Sequence, residues 1–463
     1  TSYQPQANWA DPPHPDASGQ FIFNAVSSLL QLWPNTLWPA GHSIVPATIP
    51  RGTVLYHATP NVNGTLPTAP DWFAFDPEHA YVFCRQHCRV FALATTRPLK
   101  LIYFDGSSAS TGPPGVSAME VQDLLAWGRL RPDRQGDEFG RIKALCEWAK
   151  PRGLDGFIRM EFDFEVMYCD LSGLRLLSSS NLLPKTGYPP KDPPHGWRGL
   201  LPSFSSVFLQ AIVAGSWHHR LPGEMRVKLD ITGFVTFYDP ALRSLTGARR
   251  GVERMRHQLV GISHADIESK LAELENVLKR EPTVSSVDWQ SIAQIIVQRY
   301  APRLAQLGHT LDQKSGRSFA NAKERVAAVR AELLVLLTPY LSPDNVPSSG
   351  TDAGAEWLAP VVNRCSFAHV GHLNYEDFTP QEHIIHSAFA ETTHEICRTL
   401  GLIWADAFAV DSADEDVAAR LLVIWKKQVT HLMHWLDWVE WRTCRPVCAL
   451  DEFCYIATWP FIV

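Results

Sequence analysis

The most informative run of ionisable side chains is Arg159-Met-Glu161-Phe-Asp163-Phe-Glu165-Val-Met-Tyr-Cys-Asp170. Apolar and acidic residues alternate there, and a period of two marks a strand. Phe162, Phe164, Val166 and Tyr168 would then face one way, and Glu161, Asp163 and Glu165 the other. In a single extended strand neighbouring carboxylates stand about 7 Å apart and the outer pair about 13 Å. Three like charges in a row repel, and their pKa values rise unless cations or water surround them. A solvated edge strand would tolerate the row as it is. Met167 and Cys169 continue the same face and are apolar, however, which points to a covered face and a cleft lined with acids. Carboxylates in such a cleft meet the demand of glycosidic-bond cleavage, where positive charge develops at the anomeric carbon.

A second polar concentration is Gly215-Ser-Trp-His218-His219-Arg220-Leu-Pro-Gly-Glu224-Met-Arg226, just ahead of a strand. Either it completes the cleft, with His218 and Glu224 facing substrate and Arg220 or Arg226 gripping a phosphate or carboxylate, or it is a polar loop with local ion pairs. His383, His386, Glu391 and His394 share one expected helix, but no His-Glu-x-x-His sequence is present and no metal is expected. Asn63-Gly64-Thr65 is a glycosylation acceptor in a loop flanked by Pro and Gly. The nine Cys leave at least one unpaired within the chain, and the absence of C-x-x-C argues against a zinc ribbon or thioredoxin-type motif.

These residues need a frame. Residues 1–45 read as a Pro-rich arm followed by a helix carrying Ile22, Val26, Leu29 and Trp33, stopped by Pro34. Residues 46–183 form a mixed α+β region, with strands over 53–57, 90–94, 99–104 and 157–168 and helices near 77–88 and 137–150. Residues 184–250 hold a Pro-rich connection, with six prolines between Pro184 and Pro202, and then one or two strands within 226–238. Residues 251–463 read as helical, with an N-cap pair at Ser263 and Asp266 and a capping box at Thr379-Pro-Gln-Glu382. The expected architecture is an α+β domain followed by a mostly helical half.

Three blocks, in order, resemble the ADP-ribosyltransferase superfamily, whose members consume NAD. Arg51-Gly-Thr-Val-Leu-Tyr56-His57-Ala-Thr59 is similar to the opening strand of the His-type branch. Asp71-Trp-Phe73-Ala-Phe-Asp-Pro-Glu-His-Ala-Tyr81 is similar to the aromatic-small pair and the helix after it. Asp155-Gly156 through Glu165-Val166 to Cys169-Asp170 resembles the final strand, and the three blocks span residues 50–178. The resemblance implies a split-sheet fold and NAD as substrate, with the ribose held by His57 beside Tyr56. Nicotinamide would stack on Phe73 or Tyr81, and Glu165 would stabilise the oxocarbenium ion. Ala58 stands in place of the usual glycine, and Phe73-Ala74-Phe75 in place of a serine-containing motif. Asp155-Gly156 followed by Glu161-x-Asp163-x-Glu165 is also similar, more weakly, to the acid signature of family 18 glycoside hydrolases, which implies a glycan substrate, Glu165 as acid and Asp163 beside it.

Composition narrows the setting. With 45% hydrophobic and 19% charged residues the 463-residue chain can bury large cores, which excludes wholesale disorder. A net charge of -6 gives no footprint for nucleic acid. The longest apolar run, 207–217, is too short to span a membrane. The opening at Thr1, the sequon and the cysteines together lead to the expectation of a secreted enzyme acting on a small molecule or glycan, with a protein as a further candidate acceptor.

Overall fold

The computed structural model describes residues 8–68, 70–84, 87–110, 117–184, 203–281, 283–313, 319–345, 356–409, 414–452 and 454–458. The chain divides into two compact units, one of Ser28–Ser285 with the segment from Tyr455, the other of the stretch up to Ser27 with Ser286–Cys454. Most of the Pro-rich connection, residues 185–202, lies outside the described residues. The protein is thus mixed α/β with a mostly helical second part, as its patterning indicates.

The first unit is built on one sheet of ten strands: β1 (Ser43–Ile49), β2 (Val54–Thr59), β3 (Asp71–Ala74), β4 (Arg89–Thr95), β5 (Leu99–Phe104), β6 (Gly156–Met160), β7 (Phe164–Tyr168), β8 (Leu174–Asn181), β9 (Lys228–Leu229) and β10 (Val235–Thr236). Their order is β10-β1-β5-β6-β7-β3-β2-β4-β8, with β9 also against β1. Among these pairings only β5 with β6 is parallel. β2 runs beside β4 over its full length, from Val54 to Thr59, yet meets β3 at the single pair Tyr56↔Ala74. The sheet therefore opens between β2 and β3, and a gap between strands is a place where side chains and ligands can enter.

Helix α1 (Gly19–Ser27) belongs to the second unit. In the first, α2 (Leu32–Leu37), α3 (Pro77–Val82), α4 (Glu120–Trp127), α5 (Glu138–Ala149), α6 (Phe204–Gly215), α7 (Arg243–Arg249) and α8 (His264–Lys279) surround the sheet. One core joins Phe104, Phe157 and Met167 of the sheet to Leu124, Leu145, Leu245 and Leu274 from four of these helices. Residues 251–285, expected with the helical half, sit in this core through Ile267, Leu274 and Val277. Ser263 caps α8 as expected, its hydroxyl accepting from Asp266 N–H. Pro34 does not stop a helix: the chain breaks at Leu30, with φ at 59°, and Pro34 lies in the first turn of α2, where its missing N–H costs nothing.

The second unit contains α1, α9 (Trp289–Asp312), α10 (Ala322–Leu337), α11 (Ala359–Phe367), α12 (Pro380–Ala409) and α13 (Glu415–Leu436). The capping box forms: Glu382 N–H donates to Thr379 Oγ1 and Thr379 N–H to Glu382 Oε2. Trp289, fully buried, donates its indole N–H to the same Glu382. Disulfides join Cys84–Cys88, Cys146–Cys169, Cys365–Cys397 and Cys444–Cys454, leaving Cys448 free. No described helix is long and apolar enough to cross a membrane.

Candidate active site

The acidic run is not one strand. Arg159 pairs with Glu165 and Met160 with Phe164, so β6 and β7 form a hairpin whose turn is Glu161-Phe162-Asp163. Gly156 makes that approach feasible, because a Cβ there would stand 2.1 Å from the Met167 carbonyl oxygen. Phe162 anchors the turn by packing with Val82 and Ala211. The alternation continues through the turn and hides it. The three acids are therefore neither evenly spaced nor solvated: Glu161, Asp163 and Glu165 are all buried, and the turn sends them to different partners.

Glu165 lies mid-sheet, opposite Arg159 on β6 and Ala74 on β3. Arg159 Nε donates to Glu165 Oε1 at 2.6 Å, and its Nη2 stands 2.6 Å from Glu138 Oε2 at the start of α5. Gln122 of α4 accepts a further bond from Arg159. Burial alone would lower the Arg159 pKa, but the charges and hydrogen bonds of Glu138 and Glu165 outweigh it and hold the guanidinium protonated. A buried arginine between two carboxylates fixes all three side chains in place. Glu161 turns toward α3, where its Oε1 shares a 2.9 Å hydrogen bond with His79 Nε2. Burial, reinforced by the charge of Glu165, pushes the Glu161 pKa well above the ordinary carboxylate range. One donor atom from each of His79, Glu161 and Glu165 lies within 4.8 Å of the others.

These groups open on a cavity of about 600 Å³ in the first unit, lined by residues that include Tyr56, His57, Asp71, Trp72, Phe73, Phe83, Phe139, Glu138, Arg159, Glu161 and Glu165. That volume suits a ligand of dinucleotide or oligosaccharide size. His57 sits at the gap between β2 and β3, its Nδ1 bonded to the Trp72 carbonyl at 3.0 Å and its ring 5.3 Å from Phe73. Phe139, 75% exposed, stands edge-on to Trp72 at 5.2 Å and forms part of the rim.

Of the residues singled out from sequence, the structure brings together Tyr56, His57, Phe73, Glu161 and Glu165. It does not bring Asp163, Tyr81, His218, Arg220 or Glu224 to them. Tyr81 borders a separate hollow of about 250 Å³ with Cys88, Leu182 and Val207, because α3 turns His79 and Ala80 to the main cavity and Tyr81 away from it. Asp163 is sealed among Asp76, His218 and Glu224, and burial raises its pKa to about 6. Arg220 is exposed on the same segment as His218, and Asn63 is exposed in its loop. Three residues that the sequence reading missed complete the site: His79, Arg159 and Glu138. His79 lies in a six-residue helix that gives little periodic signal. Glu138, at a helix start, has an adequate explanation in the helix dipole.

A family described as the YPL277C N-terminal domain matches residues 16–91 and 85–189, a stretch that contains every residue lining the main cavity. Two proteins of Saccharomyces cerevisiae are similar. "Uncharacterized protein YOR389W" is 23% identical over 535 residues, covering 95% of this chain and 81% of its own length. "Uncharacterized protein YPL277C" is 30% identical over 201 residues, covering 33% of this chain and 40% of its own length. No solved structure matches the chain.

Proposed function

We propose that the main cavity cleaves the N-glycosidic bond of NAD, passing ADP-ribose to water or to a protein acceptor. The supporting observation is the meeting of His57 from β2, Phe73 from β3 and Glu165 from β7 on one cavity, although 108 residues separate the first from the last. These are the residues to which the resemblance assigns ribose binding, nicotinamide stacking and cation stabilisation. The carbon–nitrogen bond breaks with its electron pair going to nicotinamide, which neutralises the pyridinium. Positive charge appears on the ribosyl carbon, facing a Glu165 carboxylate that Arg159 holds in one orientation. A pre-oriented carboxylate needs no reorganisation as that charge develops. The four disulfides and the exposed Asn63 fit the further proposal of secretion. The test is free nicotinamide released from NAD by the wild type, Glu165→Gln and His57→Ala. Release lost in both variants supports the reading; equal release from all three, or none from folded wild type with or without a protein acceptor, rejects it.

One observation favours a second reading, cleavage of an O-glycosidic bond. Glu161 and Glu165 present oxygens within 4.8 Å of each other, and burial raises the Glu161 pKa, the direction a general acid needs. Carboxyl groups about 5–5.5 Å apart are the retaining arrangement. In that reading Glu161 takes the place expected for Asp163. The barrel of parallel strands that the family 18 resemblance implies differs from the sheet described above, in which only β5 and β6 run parallel. Hydrolysis of a glycan panel by wild type, lost in Glu161→Gln, is the discriminating result.

A further inference from the structure

The segment from His218 to Arg226 takes no part in the chemistry above, yet it buries His218 and Glu224 beside Asp163. His218, Glu224 and Asp163 have no solvent exposure at all. His218 Nε2 lies 3.2 Å from Glu224 Oε2, 3.7 Å from Asp163 Oδ1 and 4.0 Å from Asp76 Oδ2. None of these contacts is well aligned as a hydrogen bond, although against the effect of burial Asp76, Asp163 and Glu224 together raise the His218 pKa, and Asp163 Oδ2 has no partner. Donor atoms of Asp76, Asp163 and His218 all lie within 4.8 Å of one another.

We propose that Asp76, Asp163 and His218 form a structural site for a divalent cation of the zinc type, with Glu224 beside His218 as an outer acceptor. Donors about 2.1 Å from a tetrahedral zinc ion stand roughly 3.4 Å from one another, and Asp163 Oδ1 and Asp76 Oδ2, at 3.7 and 4.0 Å from His218 Nε2, need only a small inward shift to reach that spacing. Charge agrees with this. Three carboxylates and Arg226 leave two negative charges with a neutral imidazole, and a divalent cation cancels them in a place where uncompensated charge is costly. Arg226 supplies the outer layer: its Nη2 stands 2.8 Å from Asp76 Oδ2 and 2.6 Å from Glu224 Oε2, leaving each oxygen a second lone pair. Trp217, its ring centroid 3.5 Å from that of His218, and Phe164, edge-on at 5.6 Å, shield the imidazole. Gly215 leaves the room, since a Cβ there would press on the Asp163 carboxyl carbon at 3.1 Å.

The position gives the ion a purpose. Asp76 precedes α3, which carries His79, and Asp163 sits two residues from Glu161 in the hairpin turn. A cation joining them to the segment before β9 would fix the two elements that orient the Glu161–His79 pair. The inference does not depend on what the cavity cleaves.

The full chain, stripped with chelator and dialysed, is titrated with Zn²⁺ and separately with Co²⁺, and bound metal and melting temperature are measured. About one equivalent of Zn²⁺ is expected, with a melting temperature several degrees higher. Bound Co²⁺ should show visible d–d bands without a thiolate charge-transfer band. His218→Gln and Asp163→Asn should lose that equivalent, while Glu161→Gln and Cys448→Ser keep it. Three results overturn the proposal: no metal retained by wild type, a thiolate spectrum, or binding lost in Glu161→Gln or Cys448→Ser. The wild-type stoichiometry and spectrum decide the matter even if a His218 variant fails to fold.

Discussion

Two groups of acids flank one three-residue turn, and their surroundings divide them. Glu161 and Glu165 are buried but reach the wall of a cavity of about 600 Å³, where a ligand can meet them. Asp163, between them in sequence, is closed off with His218 and Glu224, and solvent reaches none of the three. The residue types are the same and the separations only two residues. What differs is access: one group can exchange its partner for a substrate, whereas the other can only hold the fold together. Chemistry and architecture are therefore distinguished here by what each carboxylate faces, not by the motif that contains it.

The comparison breaks most readily at Glu165. Glu165→Gln keeps a hydrogen-bond acceptor for Arg159, which also retains Glu138, so the melting temperature should stay near that of wild type while kcat falls by about 10²-fold or more. Thermal melts beside nicotinamide or glycan assays check both halves. On the sealed side the order of effects reverses. His218→Ala leaves buried Asp163 and Glu224 and half-buried Asp76 with Arg226 alone, and urea unfolding should show a loss of about 3–5 kcal/mol, the cost of breaking a buried ionic group.

These contrasts also show where sequence reasoning reached its limit. The acids, the His57 strand and Phe73 were visible because alternation and short motifs carry them, and the capping box at Thr379 formed as written. The hairpin was invisible because Glu161 and Asp163 keep the alternation going across the turn, so a reversal of the chain leaves the pattern unbroken. That one step moved Asp163 out of the site and brought Glu161 toward Glu165, within 4.8 Å rather than the extended-strand spacing. Arg159 and Glu138 were on view as residues, but their partnership depends on α5 closing over β6, a long-range contact that no local pattern encodes.

Smaller effects sharpen the same division. Phe139→Ala removes an exposed aromatic from the rim, so stability should hardly change, while KM rises roughly 2- to 10-fold, the worth of about 0.5–1.5 kcal/mol of ring contact. An unchanged KM would place the substrate elsewhere in the cavity. The finest test is pH. In the unfolded chain Glu161 titrates near 4.5, whereas in the folded protein burial and Glu165 keep its proton to higher pH. Wild type therefore loses stability relative to Glu161→Gln as pH rises above 4.5, until the folded group has ionised. The melting-temperature advantage of the glutamine variant should grow over that range; a flat or shrinking difference contradicts the assignment.

The most direct test sets the two sides of the turn against each other in one experiment: turnover at saturating NAD, corrected for folded fraction, in Glu165→Gln and Asp163→Asn. Glu165→Gln should be folded but inactive, and Asp163→Asn should melt earlier yet turn over at close to the wild-type rate per folded molecule. An active Glu165→Gln beside a stable, inactive Asp163→Asn would contradict this, and would move the catalytic centre to the sealed cluster.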